Sequence, residues 1–342
     1  MAVIGRGADE SGPTLPLGHY RARDGSVSAP VEVDCARPHA ACVVGKRGSG
    51  KSNTLALLAE GLCEVDGAVP VVVDPMGAFD GLGAVGATVC EPRVRATAVP
   101  PAEWPALVGL DPAGSAGSLV WQVADAADTL AGMREALAES DATPDAVRTA
   151  ENHLARAASW DVFDPNGLAA PAEPTVLDLT ELPERAANAV VRAVAAGLYE
   201  RRVAGHGPLP WLLVDEAHAF LDGVAAPALD RLLTRGRAPG VSVVLATQRP
   251  EALPDTAVSQ ADLLVAHRLT GRADIEAVAG ARGAYLDGAV RDRLPAGVGE
   301  ALVFDDVTER AHAVRVAERA TPHGGAAPRL SASGEETRRS PM

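Results

Sequence analysis

Short apolar runs recur at residues 40–44, 69–74, 175–179, 211–215, 241–247 and 262–267, apolar at consecutive positions rather than alternately. Strands covered on both faces read this way, so each run predicts a buried strand of a parallel sheet. Helical spacing fills most of the intervals, at 51–63, 183–203, 225–235 and 272–279. Alternation of this kind predicts an α/β fold, with helices on both faces of a mostly parallel sheet. The stretch from about 100 to 172 breaks the rhythm: it is Ala-rich, with helical spacing at 119–137 and 143–160 and Pro/Gly punctuation at both ends. It predicts a helical insertion. Residues 299–304 and 311–316 predict a terminal hairpin. Residues 1–13 are Gly-rich and polar and 321–342 lack periodicity, so both ends are expected to be mobile tails around one domain spanning 14–320.

Composition fits one large core built from Val, Leu and Ala, since 47% of residues are hydrophobic and only 3% aromatic. The formal net charge of −14 would ordinarily argue against nucleic acid as a partner. Abundant Asp and Glu with almost no Lys also reads as adaptation to salt, which weakens that exclusion. The four cysteines, at 35, 42, 63 and 90, form no C-x-x-C pair, so neither a disulfide framework nor a zinc site is expected. No signal-peptide pattern and no run of about 18 apolar residues is present, so a soluble cytoplasmic protein without a membrane partner is expected.

The only two lysines of the chain, Lys46 and Lys51, fall in one stretch, Gly45-Lys46-Arg47-Gly48-Ser49-Gly50-Lys51-Ser52. This matches the phosphate-binding pattern G-x-x-x-x-G-K-[ST], and it lies between an apolar run and a helix, the context that the motif requires. Glycines let backbone N–H groups converge on phosphate oxygens, and the helix N-terminus adds its positive dipole end. Lys51 would bridge the β- and γ-phosphates and the Ser52 hydroxyl would coordinate Mg²⁺, with Asn53 and Thr54 completing the nucleotide-binding segment. ATP and Mg²⁺ are the expected cofactors. Lys46 and Arg47 read either as solvated loop charges or as contacts to phosphate or a neighbouring subunit.

The apolar run 211–215 ends in Asp215-Glu216, and strand ends are where open α/β sheets bind ligands. Asp215 is expected to hold Mg²⁺ through its water shell, and Glu216 to act as general base. His218 serves either packing or coupling near the site. Gln248 ends another run and is expected to sense the γ-phosphate. Arg235 and Arg237 follow a helix; they are either solvated dipole partners or an arginine finger reaching a neighbour's site.

Taken in order, these motifs resemble the HerA-like branch of the HerA/FtsK group of P-loop ATPases. The resemblance rests on Gly-Ser-Gly-Lys-Ser-Asn-Thr at 48–54, Val-Asp-Pro at 73–75, Val-Asp-Glu-Ala-His at 214–218, Arg-Gly-Arg-Ala-Pro-Gly-Val at 235–241, Thr-Gln-Arg-Pro at 247–250 and His-Arg-Leu-Thr at 267–270. The stretches 294–301 and 321–325 look like the family's C-terminal part. The resemblance implies a RecA-like core and a hexameric ring. It also implies ATP hydrolysis with an arginine from the neighbour, translocation on double-stranded DNA as a translocase or helicase in DNA repair or transfer, and a NurA-type nuclease partner. Three departures stand beside it. Met76-Gly77-Ala78-Phe79 replaces the family's His-Gly-Glu-Tyr, the residues before Cys42 leave no room for the family's N-terminal β-barrel, and no basic stripe marks a DNA-lining loop. Two rival functions stand beside this one: an ATP-dependent switch or assembly module that moves nothing, favoured by the missing barrel and the acidic surface, and a secretion or conjugation motor of the VirB4 type, which shares the core but uses partners other than naked DNA.

Overall fold

The structure is a computed structural model that describes residues 2–7, 9–22, 24–168, 170–282 and 290–323. Its strands are β1 (Ala2–Ile4), β2 (Thr14–Arg21), β3 (Val27–Asp34), β4 (Ala40–Val44), β5 (Ala68–Asp74), β6 (Thr88–Cys90), β7 (Thr175–Asp178), β8 (Leu209–Val214), β9 (Ser242–Thr247), β10 (Leu263–Ala266), β11 (Glu300–Asp305) and β12 (Arg310–Val316). They form one twelve-stranded sheet in the order β1-β3-β2-β12-β11-β10-β4-β9-β8-β5-β7-β6. From β10 to β6 every pairing is parallel, while β10–β11, β11–β12, β12–β2 and β2–β3 are antiparallel. The mixed α/β class with a mostly parallel sheet, expected from the apolar runs, is the one found.

The helices are α1 (Lys51–Cys63), α2 (Trp104–Val108), α3 (Ser115–Ala126), α4 (Leu130–Ala138), α5 (Pro144–Ala158), α6 (Glu184–Val203), α7 (Ala226–Arg235), α8 (Asp255–Gln260), α9 (Arg272–Arg282) and α10 (Val290–Arg293). They divide between the two faces. Along β4, Ala40, Cys42 and Val44 join the core beneath α6, α7 and the helices α2–α5, whereas Ala41 and Val43 join the core around α1. That two-sided burial is why β4 is apolar at every position. Between β6 and β7 the chain forms α2–α5. The run 119–137, expected as one helix, is two: Thr129 sits between α3 and α4 in extended conformation and its hydroxyl accepts the Gly132 N–H at 3.0 Å, an N-cap that starts a new helix.

The N-terminus departs from the expected tail. Ala2–Ile4 is an apolar edge strand in register with Val31–Val33, Ile4 is fully buried, and the Gly5 N–H donates to Asp305 Oδ2 at 3.1 Å. Ile4, Leu15, Leu17, Val31 and Val33 pack with Leu55, Leu58 and Leu62 of α1 in one cluster, so β1–β3 cover the helix that follows the phosphate loop. Each such leucine contributes about 2 kcal/mol by its burial. Where β2 crosses β12 the backbones nearly touch: Gly18, at φ +150°, leaves no space for a Cβ, which would lie 2.0 Å from the Arg315 carbonyl oxygen.

The other end departs as well. Thr321 is buried because the Glu60 carboxylate of α1 accepts the Ala320 N–H at 2.9 Å, the Thr321 N–H at 2.8 Å and the Thr321 hydroxyl. The rest of the expected tail, 324–342, lies outside the described residues. Among the described residues no helix is long and apolar enough to cross a membrane.

Candidate functional site

The loop between β4 and α1 is fixed from both sides. The Gly45 N–H donates to the Thr247 carbonyl at 3.3 Å, the Lys46 N–H to the Arg268 carbonyl at 2.9 Å, and the Gly299 N–H to the Ser49 carbonyl at 3.1 Å. Gly48 and Gly50 have φ of +72° and +119°, so the chain turns into α1 through conformations open to glycine. Gly45 is required for a different reason: a Cβ there would lie 2.5 Å from Ser49 Oγ and 2.6 Å from His267 Cβ. Lys51 is buried, with Nζ donating to the Lys46 carbonyl at 3.3 Å. Burial pulls its pKa down, and the carboxylates of Glu216 and Asp215 oppose that shift. Arg47 and Gly48 are exposed, while Lys46 is half-buried.

Neighbouring strands deliver the acids to the same edge. β8 ends at Val214, so Asp215 emerges beside the loop, and the Ser52 hydroxyl donates to Asp215 Oδ2 at 3.1 Å across 163 residues of sequence. Burial, then the adjacent Glu216 charge, raises the Asp215 pKa. Asp74 at the end of β5 is also fully buried; its carboxylate accepts N–H groups from Met76, Ala78 and Phe79 at 3.2, 3.0 and 2.9 Å. Burial raises its pKa too, and Asp215 adds to the shift. Glu216 stands at φ +46°, in the left-handed region, and its buried Oε2 has no hydrogen bond among the described residues. Thr247 ends β9 at this edge, followed by half-buried Gln248.

The structure thus brings together Gly45 through Thr54, Asp215, Glu216 and Gln248. Arg235 and Arg237 are elsewhere. Arg237 Nη2 lies 2.8 Å from Asp262 Oδ2, and Asp262 precedes β10 and takes the Ala40 N–H at the start of β4. This is the amino edge of the sheet, opposite the loop. Arg235, exposed at the end of α7, has no polar partner among the described residues.

Two residues near the loop were given no role by the sequence reading, although both stand inside quoted motifs. Asp74 builds the turn after β5. His267 is fully buried behind the loop, with Nδ1 donating to the Glu300 carbonyl at 2.9 Å and Nε2 2.9 Å from the Thr54 hydroxyl. Burial pulls its pKa down to about 4, and the Lys51 charge works in the same direction, so the ring is neutral. The signal for both was a polar residue closing an apolar run at a strand's carboxyl end.

A parallel sheet whose strand β4 feeds a glycine loop and helix, with acids at the ends of β8, one strand removed from β4, and of β5, defines the P-loop nucleotide-binding class. Comparison with known proteins makes this more specific. The family described as "Helicase HerA, central domain" matches residues 15–113. The solved structure of VirB4 of Thermoanaerobacter pseudethanolicus superposes with a TM-score of 0.71 at 18% identity, covering 91% of this chain and 98% of that one. The bacterial conjugative coupling protein TrwB, in a form named TrwBdeltaN70, gives 0.53 at 17% identity, over 83% and 85%. No curated protein matches the chain. The resemblance to the HerA/FtsK group of P-loop ATPases, drawn from dispersed motifs, is borne out by the family match and the shared fold.

Proposed function

We propose that this chain is an ATP-hydrolysing motor of the HerA/FtsK kind that acts on double-stranded DNA in repair or transfer. The observation that carries the nucleotide chemistry is the Ser52–Asp215 hydrogen bond of 3.1 Å. A hydroxyl and a carboxylate meeting beside a buried lysine make a hard-oxygen donor set that fits Mg²⁺. The raised carboxyls fit it too, Asp215 through burial and the Glu216 charge and Asp74 through burial and the Asp215 charge, since a cation relieves such crowding. When bound, Mg²⁺ would neutralise charge on the terminal phosphates.

The remaining roles belong to the chain. Backbone N–H groups of 45–54 cradle phosphate, Lys51 meets the β- and γ-phosphates, Glu216 takes the proton of the attacking water through its unbonded oxygen, and Gln248 orients that water. Neither arginine of 235–237 reaches the site of its own chain, so a finger must act in trans, in a homo-oligomer such as a hexamer. Arg235 is the better candidate because Arg237 is held by Asp262.

The DNA substrate and a NurA-type nuclease partner come with the family reading. The test is ATP turnover with and without duplex DNA. A Glu216→Gln variant should lose turnover by at least a hundredfold while still binding ATP. Full turnover in that variant overturns the base assignment, and a rate indifferent to duplex DNA overturns the translocase. The second reading, a VirB4-type motor working on a protein partner, is favoured by the net charge of −14. It predicts that indifference.

A further inference from the structure

Glu216 and the end of β9 are joined by one side chain. His218 Nδ1 lies 3.3 Å from Glu216 Oε2 and 3.2 Å from Thr247 Oγ1. Thr247 is fully buried, and its hydroxyl oxygen accepts the Arg249 N–H at 3.0 Å. The three residues come from different parts of the edge: Glu216 just after β8, His218 in the short 3-10 turn Ala217–Phe220, and Thr247 at the tip of β9 next to Gln248. Among the described residues no hydrogen bond fixes Glu216 Oε2, and the His218 imidazole is its ion-pair neighbour, so the ring is placed to set the carboxylate direction. One ring nitrogen faces both partners. With its proton, Nδ1 donates toward the carboxylate; without it, Nδ1 accepts from the threonine hydroxyl instead.

The geometry points to His218 as a positioning residue that aims Glu216 at the attacking water and ties that aim to the strand tip carrying Gln248. The inference rests on the reading of Glu216 as general base. A shift of β9 on contact with the γ-phosphate would pass through Thr247 to His218 and so to the carboxylate. His218 itself touches no reacting atom.

The test separates positioning from packing by where an amide nitrogen falls. Asparagine places its side-chain nitrogen where Nδ1 stands, whereas glutamine reaches the Nε2 position. ATP turnover and ATP KM are measured for His218→Ala, His218→Gln, His218→Asn, Thr247→Val and the Ala/Val double variant, alongside Glu216→Gln. His218→Ala and His218→Gln should lower kcat roughly tenfold with KM unchanged, and His218→Asn should recover most of the rate. The double variant should be no slower than the worse single one. Wild-type kcat in His218→Ala, equal losses in the Asn and Gln variants, or losses that multiply in the double variant overturn the inference. The base reading fails separately, through full turnover in Glu216→Gln.

Discussion

His39 and His267 are both fully buried, one at each edge of the same parallel block, and their surroundings push their pKa values in opposite directions. His39 precedes β4 at the amino edge. Its Nδ1 is 2.7 Å from Asp262 Oδ2 and its Nε2 is 3.4 Å from Asp34 Oδ2. Burial works against the charged ring there, but the two carboxylates outweigh it and raise its pKa. His267 follows β10 at the carboxyl edge, where its partners are a carbonyl and a hydroxyl and the nearest charge is Lys51. Burial is therefore unopposed by any anion. The contrast extends to the edges themselves. At the amino edge Arg6, Arg37, Asp34, His39, Asp262 and Arg237 form a chain of oppositely charged neighbours. At the carboxyl edge Asp74, Asp215 and Glu216 crowd together, with Lys51 facing Asp215 and Glu216 and Arg319 in the field of Asp74. A network of paired opposite charges suits a joint; carboxylates crowded beside a buried lysine are what a cation and a phosphate can complete.

The largest break in this contrast should come from Lys51→Ala, which removes the buried lysine beside Asp215 and Glu216. ATP turnover should fall at least about a hundredfold, while circular dichroism keeps the folded signal. Next, Asp262→Ala takes a carboxylate from the buried His39 and the acceptor from the Ala40 N–H, and should cost about 3–5 kcal/mol of unfolding free energy in urea titration. The two histidines then make opposite pH signatures. His267, near pKa 4 folded against 6.5 unfolded, contributes stability that is full above pH 6.5. That stability is lost as pH falls towards 4, by about 3 kcal/mol. His39, with a raised folded pKa, contributes stability that is full below 6.5 and is lost as pH rises through its folded value. Thermal midpoints recorded against pH for His267→Gln and His39→Gln should each lose one of these slopes. The smallest effects separate the arginines: Arg237→Ala should cost up to about 1 kcal/mol through its half-exposed pair with Asp262, and Arg235→Ala within about 0.5 kcal/mol.

Much of the parallel block was legible because strands buried on both faces are apolar at every position. The helix after the phosphate loop was read as 51–63, the bounds of α1. Strands β1 and β6 escaped because each has only 3 residues. β2 and β3 escaped because Pro16, Gly18 and Pro30 interrupt them, and the pairing tolerates this through register shifts at 16/18 and 19/21. Of the site, the glycine loop and the strand-end acids were readable from spacing, since phosphate chemistry constrains adjacent residues. The roles of Asp74, His267 and His39 were not, because each depends on a partner far along the chain.

The sequence by itself determined the α/β class, the phosphate loop and the order of motifs along the chain, all of which follow from local periodicity and short-range spacing. Tertiary structure alone decided that Ser52 meets Asp215, that Arg235 and Arg237 lie away from their own chain's site, and which way the pKa of each buried histidine is pushed. A hydrogen bond or a buried charge is set by which strands lie side by side, and strand order is fixed by the packing of the whole sheet.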